Sequence, residues 1–182
     1  MMLLSMRRVG TILVPLLLLA ACREHRAATA PAFDPNAVIA SLIRSTANDA
    51  DLAALATRRA KGPETKAAAA VISRQSMIVN REWSALGQRR KLPLPPPQEE
   101  KRIALKENLL LLRPDLFDRA YALAMFQETG DLLRTLDAAG KAGDPEVRQL
   151  ALRHRPMVVE EQGVAKKLLD QTGGVPWPGF AP

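Results

Sequence analysis

The chain is poor in the residues that usually carry chemistry. It has one cysteine and two histidines in 182 residues, and aromatics make up only 4%. One cysteine excludes an internal disulfide framework. Two histidines, His25 and His154, are too few for the common zinc sites, and no H-E-x-x-H, G-x-S-x-G or P-loop pattern is present. β-Branched runs are missing, whereas alanine and leucine are abundant, which favours helices over strands. No apolar run reaches the roughly 20 residues needed to span a bilayer as a helix.

The longest uncharged apolar stretch is Val9–Ala21, preceded by Arg7 and Arg8 and followed by Cys22. A positive start, a short apolar segment and small residues at its end read as a secretory leader. Leu19-Ala20-Ala21-Cys22 resembles the lipobox of bacterial lipoproteins. On that reading residues 1–21 are removed and Cys22 becomes the lipidated first residue. Several acyl chains on one cysteine anchor stably, at about 0.8 kcal/mol per buried CH₂. Arg23 follows, where an aspartate would resemble an inner-membrane retention signal, so the expectation is an outer-membrane anchor facing the periplasm.

Without Arg7 and Arg8 the 26 basic residues become 24 against 19 acidic, a net charge of +5. The densest clusters, Arg58-Arg59 and Arg89-Arg90-Lys91, precede a Gly or Pro and suit helix C-termini. Nucleic-acid binding would want aromatics among the basics and conflicts with export. No nucleic-acid partner is expected; the expected partners are the membrane, through Cys22, and an envelope protein.

Residues 22–36 read as a flexible tether, rich in small residues and proline. Helix 1 is expected from Asp34-Pro35, an N-cap followed by proline, with Val38, Leu42, Leu52, Leu55 and Ala56 facing inward, to a stop at Gly62-Pro63. Helix 2 is expected over 63–91, with Ala67, Val71, Met77 or Ile78, and Leu86 inside. "LPLPPP" at 92–97 breaks it. A short helix 3 spans 98–112. Helix 4 spans 114–139, burying Phe117, Ala120, Tyr121, Ala124, Leu132 and Leu136. Gly130 interrupts it and suggests close packing. Gly140–Gly143 forms a turn. Asp144-Pro145-Glu146 starts helix 5, which runs to about Gln171 and should kink at Pro156. The tail 173–182 reads as irregular, with Trp177 and Phe180 capping one end of the fold. The expected fold is all-α: an up-and-down, ferritin-like four-helix bundle over residues 37–172, with one short extra helix in the crossover.

"FDRAYALAM" (117–125) and "DPEVRQLALRHRP" (144–156) resemble the bacterial domain-of-unknown-function family 4142, exported ferritin-like helical proteins often labelled as outer-membrane proteins. The resemblance covers about residues 37–172, and its motif core is Phe117, Asp118 and Tyr121. Members often carry three histidines, and the corresponding positions here are Ser76, Thr129 and Glu161. The resemblance makes these the interior ligand positions, and their loss of histidine argues against a family-type metal site. Glu82, Glu107, Glu128, Glu160 and Glu161 are the carboxylates from which an acidic cluster would have to form, and ordinary helix surfaces account for them. His154, between Arg153 and Arg155, is expected at the solvated surface.

The expectation is therefore a non-enzymatic, lipid-anchored envelope protein with a structural, stress-related or partner-binding role and no cofactor. A small-ligand or metal binder using the bundle interior is the alternative, and an enzyme with an unrecognised site the second. A binder predicts a polar cavity between helices 2, 4 and 5, near Ser76, Thr129 and Glu161. An enzyme predicts a cleft with a strongly shifted titratable group. A scaffold predicts a filled core and an exposed apolar patch.

Overall fold

The computed structural model describes residues 33–93 and 100–173. The leader, Cys22, most of the tether and proline loop, and the Trp177 and Phe180 tail lie outside the described residues. Five helices account for nearly all the rest, and no strand occurs among the described residues: α1 (Pro35–Arg59), α2 (Pro63–Arg89), α3 (Glu100–Leu111), α4 (Pro114–Ala139) and α5 (Pro145–Gln171).

The helix starts follow local chemistry. The Asp34 carboxylate accepts the Asn36 N–H at 2.9 Å, and Asp144 accepts the Val147 N–H at 3.1 Å, each just before a proline whose missing donor costs nothing there. Helix α1 therefore takes in Pro35 and Asn36, the last two residues expected in the tether. Its partner α2 ends two residues earlier than expected, because Lys91 adopts φ +53° and Leu92 N–H closes back on the Gly87 carbonyl at 3.0 Å. This six-to-one closure is a Schellman stop built without glycine. Helix α5 runs through Pro156 as one element.

Packing follows the apolar stripes. Helix α1 packs on α2 and α4, and α5 packs on α4 and α2. At one end, Arg59 Nη2 donates to the Leu112 carbonyl at 2.8 Å, joining the C-termini of α1 and α3. At the other end, Arg90 holds Asp144 in two hydrogen bonds of 2.7 and 2.9 Å, joining the end of α2 to the start of α5. Both basic clusters thus serve helix ends. Helix α3 ends at the first end, where Leu112 meets Arg59. Leu109 of α3 is fully buried, and Arg102 reaches Ser45 on α1 and Glu128 on α4.

The stripes of α1 and α4 lie where periodicity predicts, but that of α2 does not. Ala67, Met77 and Ile78 are exposed, whereas Ala68, Ile72, Ser76, Val79 and Trp83 are buried. Ala67–Ala70 gives no phase of its own, and the true stripe passes through a serine. His154 is a second correction. It is 1% exposed, its ring meets Trp83 edge-on at 6.1 Å, and its Nε2 lies 3.3 Å from Glu82 Oε2. Burial lowers its pKa against the pull of that carboxylate. Gly130 does not interrupt α4, and the atom nearest a Cβ there would be the side-chain tip of Gln162 on α5, at 3.3 Å.

Candidate functional site: a polar layer across the bundle

The apolar interior falls into two clusters. One holds Leu52 and Ala56 of α1, Ala69 and Ile72 of α2, Phe117 to Met125 of α4, and Ala165 and Leu168 of α5. The other holds Ile39 and Leu42, Val79 and Trp83, Leu132 and Leu136, and Val147 to Val158. On every long helix the gap between the two is filled by buried polar residues: Thr46, Asn48 and Asp49 on α1, Ser76 on α2, Thr129 on α4 and Glu161 on α5. Each lies on its helix's inward stripe, so one polar layer crosses the middle of the bundle.

Ser76, Thr129 and Glu161 all belong to this layer. Ser76 Oγ lies 3.5 Å from Glu161 Oε1, the outer limit of a hydrogen bond. Thr129 shares the depth but spends its hydroxyl on its own helix, donating to the Met125 carbonyl at 2.7 Å. The residue that sequence reasoning missed is Asp49. It is completely buried, and neither carboxylate oxygen has a hydrogen-bond partner among the described residues. Its place was legible in the α1 stripe, seven residues from both Leu42 and Ala56. The five-glutamate cluster does not form. Glu128 pairs with Arg102 at 3.3 Å, Glu82 with Arg153 at 3.0 Å, Glu160 with Gln75 at 2.8 Å, and Glu107 is exposed, so Glu161 is the one of the five that is fully buried.

Burial disfavours the charged form of a carboxylate. It pushes Asp49 up to about 8, helped by the Glu128 charge and opposed by Arg102. It pushes Glu161 up to about 8 as well, helped by Asp49 and opposed by the Ser76 hydroxyl. Tyr121 feels both acids, and burial in their field raises its phenol far above the ordinary value. At neutral pH the layer therefore holds its acids mostly protonated. Unpartnered polar atoms remain on Asn48, Asp49, Tyr121 and Glu161. Buried polar atoms of this kind are the usual seats of ordered water or of a small polar guest. Among the described residues, no three His, Cys, Asp or Glu side chains converge as a metal ion requires. Asp49 and Glu161 are the fully buried carboxylates at this level, and Glu128, paired with Arg102, acts on Asp49 from the layer's edge.

The motif core has structural work. Phe117 and Tyr121 stack one turn apart with ring centroids 6.2 Å apart, and the Arg59 guanidinium lies 5.7 Å over Phe117. Asp118 accepts two backbone N–H groups from the α1–α2 turn, Lys61 at 3.0 Å and Gly62 at 2.6 Å. A Cβ at Gly62 would stand 2.8 Å from Asp118 Oδ2, so glycine lets the carboxylate approach. The three residues thus lock the first hairpin to α4, and Tyr121 extends from that lock to the edge of the polar layer.

The profile of the domain of unknown function DUF4142 matches residues 20–168. The chain belongs to the DUF4142 family. A crystal structure of a DUF305 fragment from Deinococcus radiodurans has the same fold, with a TM-score of 0.65 at 19% identity, covering 78% of this chain and 96% of that one. No curated protein matches.

Proposed function

We propose that this DUF4142 protein is a non-enzymatic, lipid-anchored envelope protein whose ferritin-like bundle faces the periplasm from the outer membrane, in a structural, stress-related or partner-binding role. The observation that carries the anchor is the single cysteine at the end of an apolar leader, in Leu19-Ala20-Ala21-Cys22. Two hairpins, α1/α2 and α4/α5, joined by a crossover containing α3, support the ferritin-like arrangement. Complete burial of Asp49 and Glu161 supports a non-catalytic role, since a substrate would reach them only by opening the bundle. The test is membrane fractionation of the native chain and of Cys22→Ser. The native chain should sediment with outer membrane, and Cys22→Ser should not. Equal sedimentation of both would end this reading.

A second reading, favoured by the unpartnered oxygens of the polar layer, is a binder that takes a small polar guest or a metal ion between the helices. Elemental analysis of the exported chain, purified without chelator, tests it. Near-stoichiometric iron, manganese or zinc that disappears in Asp49→Asn and Glu161→Gln supports this reading. Metal content unchanged by those substitutions counts against it.

A further inference from the structure

Helix α3 lies along one side of α1, and three polar contacts set its register. Arg102 Nη2 donates to Ser45 Oγ at 2.9 Å, Lys106 Nζ to Asp51 Oδ2 at 3.4 Å, and Arg59 Nη2 to the Leu112 carbonyl at 2.8 Å. The partners advance together along both segments, so α3 runs parallel to α1. Asn48 stands one turn from Ser45 on the strip that α3 follows, and Asp49 stands one turn from Ser45 on its inward side. From α4, Glu128 meets Arg102 at 3.3 Å. Arg102 therefore spans the α1–α4 seam at the level of the polar layer, and its charge acts on Asp49 through space.

What lies beneath is short of partners. Both amide atoms of Asn48, both carboxylate oxygens of Asp49 and Nη1 of Arg102 are buried with no hydrogen-bond partner among the described residues. Asn48 is 1% exposed and Asp49 0%. Groups buried in this state have lost the hydration that the unfolded chain gives them. The helix above them is lightly held. Leu109 is the only fully buried side chain of α3, with Leu105 half-buried on the same cluster, whereas each long helix buries seven or more residues. An element with few buried apolar contacts opens at lower cost than the core it covers. Lifting α3 returns water to Asn48, Asp49, Arg102 and Glu128 and uncovers little apolar surface. Parting the α1/α2 or α4/α5 hairpin would expose both apolar clusters instead.

We propose that α3 is a strap over the polar layer, latched by Arg102, and that water and small polar guests reach Asp49 through the α1–α4 seam beneath it. The inference rests on the binder reading and names the entrance that reading needs. Asn48 offers both a donor and an acceptor, and Arg102 Nη1 a further donor, so the guest that suits the seam both donates and accepts, with water first in that class.

The test is thiol access in the full chain, read by mass spectrometry on the peptide that carries each position, so the state of Cys22 does not enter. Asp49→Cys places a thiol under the strap. Ala151→Cys places one in an apolar cluster, where opening of the whole bundle is needed to reveal it. Iodoacetamide rates, each divided by the rate of the same protein in urea, should be at least about tenfold higher at 49 than at 151. Arg102→Met removes the latch and Leu109→Ala removes the apolar anchor. Each should raise the rate at 49 about tenfold more than the rate at 151. Arg102→Lys keeps a cation opposite Glu128 and should leave the rate at 49 within about threefold of the parent. The ratio of the two rates serves even where a variant weakens the whole fold, because global opening raises both alike. Equal rates at 49 and 151, or variants that raise both by the same factor, overturn the proposal. Failure of the binder reading is seen separately. Fast access at 49 in a chain that holds no metal or guest supports the strap and removes the binder, whereas a bound guest with position 49 closed keeps the binder and overturns the strap.

Discussion

Asp118 and Gly62 form a tight tertiary contact, with the Gly62 N–H 2.6 Å from the carboxylate. Gly62→Ala pushes a methyl into the carboxylate and should cost about 1–3 kcal/mol, the scale of losing hydrogen bonds to a charged acceptor. Asp118→Ala should cost a similar amount. The double variant should cost much less than the sum, because both changes break one contact. Urea unfolding of the four proteins measures this cycle.

Asp49 and Glu161 carry the pH dependence. Both have folded pKa values of about 8, above their ordinary values of 3.8 and 4.5, so the native state binds more protons than the unfolded chain between those limits. The stability they contribute is fully present below about pH 4 and is lost as pH rises towards 8, with a slope of up to about 1.4 kcal/mol per pH unit for each group. His154 has a lowered pKa and works the other way below about 6.5, which makes the net slope shallower there. Asn at 49 with Gln at 161 should flatten the fall between pH 6.5 and 8. Unfolding midpoints at pH 5, 6.5 and 8 for parent and double variant check the sign. Of these residues, Glu161 was visible as an interior position through the family motif. Asp49 was visible only as a gap in the α1 stripe, where an acid reads as surface by its type. His154 was misplaced for the same reason: flanking arginines suggested solvent, while the spacing from Ala151 and Val158 places it inside.

Among the elements, the starts of helices with a proline start and mixed large and small apolar residues were legible. Asp34-Pro35, Arg113-Pro114 and Asp144-Pro145 set the beginnings of α1, α4 and α5 where the structure has them. Helix α2 was harder, because four consecutive alanines suit every face equally and its inward stripe includes Ser76. Its C-terminal stop was also hidden, since a lysine occupies the left-handed position where glycine is usual. Lys91→Gly removes that backbone strain and should raise stability by about 0.5–1 kcal/mol without changing the end of α2. Thermal unfolding of the variant reads the gain. A loss of stability would mean that the lysine side chain contributes more than its backbone costs.

At the scale of the whole molecule, two apolar clusters and a polar layer between them make a bundle that is well held at both ends and polar in the middle. The motif lock closes one end, and the Arg90–Asp144–Glu146 ion pairs close the other. Among the described residues, no helix is long and apolar enough to cross a membrane. In this account the leader and Cys22 supply the attachment.

The most direct test of that account is the intact mass of the mature chain purified from membranes in detergent. The account predicts a protein that begins at Cys22 and carries diacylglycerol with a further acyl chain, all mapped to the N-terminal peptide. A mature chain cleaved elsewhere, or one with an unmodified Cys22 thiol, would contradict it.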